Sequence, residues 1–106
     1  MKKEVSIHGK KWDIHLVPQS QLTDYRRGEQ SDGDCVVPSR PKNKLSRKER
    51  RIRIAKTLPD DDFLETLVHE TLHAAFPEKN EEWIEDTAED LKNILWAFGY
   101  RRKESE

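Results

Sequence analysis

A chain of 106 residues has room for one modest hydrophobic core and no second one. Apolar residues make up 33% and charged residues 39%, so that core is lean, yet three Trp, three Phe and a periodic apolar pattern argue against intrinsic disorder. The net charge of −1 hides a division: residues 40–53 carry eight basic side chains against Glu49 alone, while residues 60–90 are mostly acidic.

Cys35 is the single cysteine, which excludes an intramolecular disulfide framework and favours an intracellular setting. Met1, Lys2 and Lys3 lead into a charged, alternating stretch rather than the apolar run of a signal peptide. No segment approaches the ~18 apolar residues of a spanning helix. A cytoplasmic protein without a membrane partner is expected.

In chain order, Val5, Ile7, Trp12, Ile14 and Leu16 alternate with polar residues on either side of Gly9, predicting a β-hairpin over residues 1–17. Residues 19–34 are polar and glycine-containing, and read as loop with one short helical turn near residues 22–26. Residues 35–37 suggest a short strand stopped by Pro38. A basic loop over 40–50 follows. Residues 51–55 then alternate again, predicting a strand with Ile52 and Ile54 inward. Pro59 and Asp60, Asp61 and Asp62 open a helix over 61–76, with capping assigned to the aspartates and Pro77 as the stop. A second helix spans 80–98, with Asn80 as N-cap and Gly99 after its end. The tail, 101–106, is expected to fray. The order predicts a single α+β domain, with the hairpin and short strands packed on the two helices.

The most specific signal lies in the first of those helices. His69-Glu70-Thr71-Leu72-His73 places two imidazoles at i and i+4, on one helix face and within reach of one metal ion. Glu70 follows the first imidazole and can take a proton from a water at that metal. Catalytic zinc takes three protein ligands, and no histidine follows His73, so a carboxylate from the second helix is the natural third. Glu82 is the first candidate, with Asp86 at i+4 as the group orienting a ligand histidine. Glu81 and Glu85 are the alternatives. They move toward the histidines if the buried stripe centres on Ile84, Ala88, Leu91 and Leu95.

Residues 64–90 resemble the active-site region of the gluzincin metallopeptidases, with an HExxH helix followed by a helix carrying ExxxD. The short length and the strand before the helix are also similar to SprT-like and phage- or prophage-type minimal zincins. The resemblance implies Zn2+ as cofactor, His69, His73 and Glu82 as ligands, Glu70 as general base, Asp86 as histidine-orienting residue and a peptide or protein as substrate. It also implies that the strand before the motif, Arg51, Ile52, Arg53 and Ile54, pairs with an extended substrate. Tyr25, Tyr100 and the arginines are candidate donors to the developing oxyanion.

The basic loop supplies a second possibility. Lys42, Lys44, Arg47, Lys48 and Arg50 could contact a polyanion such as nucleic acid, although a solvated loop is the commoner use of such a run. A zinc-stabilised, non-catalytic binding protein is therefore the rival expectation, and a DNA-associated peptidase a third. Cys35 is expected to be a small packing residue, and His8 and His15 to face solvent.

Overall fold

The computed structural model describes residues 1–24, 29–35 and 45–103. Strands β1 (Lys2–Ile7) and β2 (Lys10–Val17) form the expected hairpin, closed by His8 and Gly9 with φ of 51° and 76°. Positive φ at both positions is the two-residue turn whose twist matches the flanking strands. A 3-10 turn, Gln19–Leu22, follows, earlier than the position read for it from the sequence. Two short strands, β3 (Thr23–Asp24) and β4 (Glu29–Gln30), then pair with each other.

The main sheet has four strands in the order β1, β2, β6, β5, where β5 is Gly33–Cys35 and β6 is Arg51–Ala55. β6 lies parallel to β2, with Ile14 beside Ile52 and Leu16 beside Ile54. β5 runs antiparallel along the other side of β6, with Gly33 beside Ile54 and Cys35 beside Ile52. The expected strand at 35–37 thus begins two residues earlier, and residues 36 and 37 lie outside the described residues. Alternation in β6 turns Ile52 and Ile54 fully inward, where they meet Trp12, Leu45 and Ala74.

Helix α1 (Asp60–Ala75) lies between two apolar clusters. Phe63, Leu67 and Ala74 join the sheet-side core, whereas Val68, Leu72 and Phe76 pack with Ile84, Ala88 and Trp83 of helix α2, Glu81–Ala97. α2 therefore reaches the sheet chiefly through α1. The three aspartates differ from their expected role: Pro59 precedes the helix without a side-chain cap bond, and the carboxylates sit inside the first turn. They act there on the positive end of the helix dipole rather than as caps.

The ends of α2 follow the sequence closely. Asn80 accepts a hydrogen bond from the Trp83 N–H at 2.8 Å. At the other end Gly99 has φ 86°, its N–H donates to Trp96, and the Tyr100 N–H donates to Leu95, a Schellman closure. Arg102 lies over the Phe63 ring and donates to the Lys56 carbonyl, tying the chain after α2 to the start of α1. His8, although exposed, meets the edge of Phe76, which in turn meets Trp83, so the hairpin turn touches the connection between the helices. Among the described residues no helix is long and apolar enough to cross a membrane. Residues 104–106 of the expected frayed tail lie outside the described residues.

Candidate metal centre

Glu65, His69 and His73 recur every four residues and so share one face of α1. Glu81, Glu85 and Glu89 do the same on α2. The short connection through Pro77 makes the helices an antiparallel hairpin: Glu81 meets His73 near the connection, and Lys92 lies 3.7 Å from Glu65 farther along. The two rows therefore face each other, and the histidines meet a carboxylate at their closed end.

That carboxylate belongs to Glu81. Its Oε1 is 2.8 Å from His69 Nε2 and its Oε2 is 2.9 Å from His73 Nε2, while the two Nε2 atoms are 3.2 Å apart. With zinc–ligand bonds of 2.0–2.1 Å, tetrahedral ligand atoms lie about 3.3 Å apart. The observed spacing is close to that figure. Ring N–H groups donating to the Glu81 carboxylate account for these distances in the metal-free protein, and a cation shared by the three groups would fit the same spacing. The donor set fits zinc.

Glu70 lies beside the histidines on the same helix turn. It is only 6% exposed, and its Oε2 has no hydrogen-bond partner. An unsatisfied buried carboxylate is costly. Burial pushes its pKa up to about 7, with the negative charges of Asp34 and Glu81 adding to the effect. A ligating atom of His69, of Glu70 and of His73 can be chosen so that all three lie within 4.8 Å of one another. Burial lowers the His73 pKa, an effect that Glu81 opposes. A neutral imidazole is the form that binds metal.

β5 positions Glu70. A Cβ built on Gly33 would stand 2.7 Å from Thr66 Cγ2, 2.9 Å from the Arg53 carbonyl oxygen and 3.3 Å from Glu70 Cγ. Only glycine lets the strand lie this close to α1. Next to it, Asp34 forms a bidentate ion pair with Arg53. An open cleft of about 230 Å³ is lined by Ser31, Asp32, Gly33, Glu65, Thr66, His69 and Glu70. Cys35 is half-buried, and burial drives its thiol up to about 12, which makes it a poor thiolate.

Several sequence expectations need correction. Glu82 is exposed and makes no contact with the histidines; Glu81, one of the two alternatives, takes that place. The reason is the helix phase: Ile84 and Ala88 are fully buried, so the stripe centres on them and Glu82 turns outward. Glu85 lies one turn beyond Glu81 and lines a groove beside His69 rather than touching it through a hydrogen bond. Asp86 is exposed and makes no hydrogen bond to either histidine. Arg51, Ile52, Arg53 and Ile54 all pair with β2, and Ile52, Arg53 and Ile54 pair with β5 on the other side, so these three leave no edge for a substrate. β5 and β1 are the two edge strands of the sheet, and β5, the one against α1, pairs among the described residues with β6 alone.

Two arginines in the described part of the basic loop are committed to the fold. Arg47 Nη2 donates to Glu4 at 3.0 Å and to Asp13 at 2.9 Å, and Arg50 donates to the carbonyls of Lys11 and Leu45. Lys48 is exposed, while Lys42, Lys44 and Tyr25 lie outside the described residues. Tyr100 follows the end of α2 opposite to Glu81, far from the histidines. Gly33, Asp34 and Glu65 were not singled out from the sequence. Glu65 had a signal, its four-residue spacing from His69; Gly33 and Asp34 had none, since long-range pairing brings them in.

Comparison with protein-family models, with curated proteins and with solved structures finds no match for this chain.

Proposed function

We propose that the protein is a small zinc-dependent peptidase of gluzincin type, with His69, His73 and Glu81 as ligands and Glu70 as general base. The convergence of three ligand side chains beside a buried, unpartnered carboxylate is the observation that supports this reading. A zinc ion held there would polarise the substrate carbonyl and lower the pKa of a water toward ~7.

The chain's own residues would do the rest. Glu70 Oε2 has no competing donor, so it is free to accept the proton of the attacking water and pass it to the leaving amine. Burial raises its pKa to about 7 in the metal-free protein, and a bound cation would favour the ionised form, the one that accepts the proton. The backbone edge of β5, held against Glu70 by Gly33, is the candidate to pair with an extended substrate, in the role first read for β6.

The test is metal content and hydrolysis measured together. Wild-type protein should hold one zinc per chain and cleave peptides; Glu70→Gln should keep the zinc and lose cleavage by about 10²-fold or more. Zinc retained in both with no cleavage by either would favour the rival, a zinc-stabilised binding protein. No zinc uptake at micromolar concentration would remove both readings.

A further inference from the structure

Among the described residues, the exposed large apolar side chains are Met1, Leu91, Ile94, Phe98 and Tyr100, so all but Met1 belong to the distal half of α2 or to its end. Ile94 is 55% and Phe98 80% exposed. Exposed apolar residues that cluster, rather than scatter, mark a contact surface. Thr87, Leu91, Ile94 and Phe98 follow one another at steps of four, three and four residues, the spacing of a helix-pairing seam. At 3.6 residues per turn they fall within about 60° of one another around the helix. Glu81 and Lys92, which face α1, lie about 110° or more from the centre of that stripe. The stripe is therefore separate from the candidate metal centre.

Two features of the stripe fit a second copy of the same chain running the opposite way. The first is the charge along α2. Residues 81–90 hold six acidic side chains and no basic one, while residues 91–103 hold Lys92, Arg101, Arg102 and Lys103 and no acidic one. Parallel copies would set like charges side by side; reversed copies set each acidic half against a basic one. Among the described residues, Asp86, Asp90 and Lys103 make no ion pair within the chain, so their charge is open to a partner. The second feature is the spacing itself, which is the same in both directions. A reversed copy brings Leu91 opposite Ile94 and the small Thr87 opposite the large Phe98, so one two-fold axis serves all four positions. Asp86 then comes level with residue 99 of the second copy, next to its basic segment. We infer that two copies of the chain pair through α2, antiparallel about a two-fold axis midway between Leu91 and Ile94. Nothing in this pairing depends on the peptidase reading, and it leaves Glu81 and the histidines uncovered. Four side chains from each copy bury less than the ~800 Å² a side of a standard interface, so a Kd on the order of 10–100 µM is expected.

Sedimentation equilibrium of the full chain from about 1 µM to about 1 mM tests the pairing. Wild type should move from the 12.5 kDa of one chain toward twice that mass across the range. The double variant Ile94→Glu, Phe98→Glu should stay monomeric at every concentration. At the lowest concentration, where wild type is monomeric too, the two should share one helix content and one melting temperature, since both side chains are exposed. Direction is tested by cross-linking. Chains carrying Thr87→Cys and Phe98→Cys, mixed under oxidising conditions, should give a disulfide-linked pair that neither chain gives alone, with wild type as the control for Cys35. A monomer at every concentration overturns the inference and leaves the stripe to a different partner. So does a dimer that survives the double substitution, or cross-linking by Thr87→Cys alone, which a parallel pair would give.

Discussion

Glu70 combines two demands on one side chain. Its Cγ lies where a Cβ at Gly33 would press on it, and its Oε2 is buried without a partner. In the metal-free protein its pKa is raised from 4.5 to about 7, so its contribution to stability is fully present below pH 4.5 and is lost as pH rises through about 7. The depressed pKa of His73 works the other way, adding stability as pH rises toward its ordinary value of 6.5. Comparing wild type with Glu70→Gln cancels the histidine. Denaturant unfolding of the two metal-free proteins from pH 5 to pH 8 should show the glutamine variant gaining on wild type by on the order of 3 kcal/mol. A constant gap across that range would contradict the burial argument. Glu81 gives the matching prediction for metal. Glu81→Ala should weaken zinc binding by more than about 100-fold, above the range for outer partners, while Glu82→Ala leaves it unchanged; isothermal titration reads both.

At the level of elements, the site depends on a strand and a helix start. Gly33→Ala forces β5 away from Thr66 and the Arg53 carbonyl, and should cost about 1–3 kcal/mol by the penalty for overpacking. Cleavage should fall with it, since the same shift displaces Glu70. Asn80→Ala removes the cap on the turn that begins with Glu81 and should cost about 1 kcal/mol in thermal unfolding. The helices, β6 and the caps of α2 were legible because each rests on local signals: four-residue spacing, alternation around Ile52 and Ile54, and Asn80 and Gly99 at the ends. So were His69, Glu70 and His73, whose spacing on one helix is itself the geometry. The third ligand was not. Choosing between Glu81 and Glu82 required the rotation of α2 about its own axis, and that depends on how Ile84 and Ala88 pack against Leu72. The pairing of β5 with β6 was also hidden, because residues 33–35 carry little apolar alternation and gain their place from contacts far along the chain.

For the whole molecule, α1 is the element on which both apolar clusters and the candidate metal centre depend. A lean core of this kind gains from a cation that binds only the folded form. Zinc at 100 times its Kd should add about 2.7 kcal/mol, and chelation should lower the melting temperature accordingly. The ligands have a further property. All three candidates lie between positions 69 and 81, within a single helical hairpin, whereas the sheet joins β2 to β6 across the intervening chain. Closing the hairpin costs little loop entropy; closing the sheet costs more. Zinc added to the denatured chain should therefore speed refolding in stopped-flow experiments, by stapling a nucleus of two helices before any strand has found its partner.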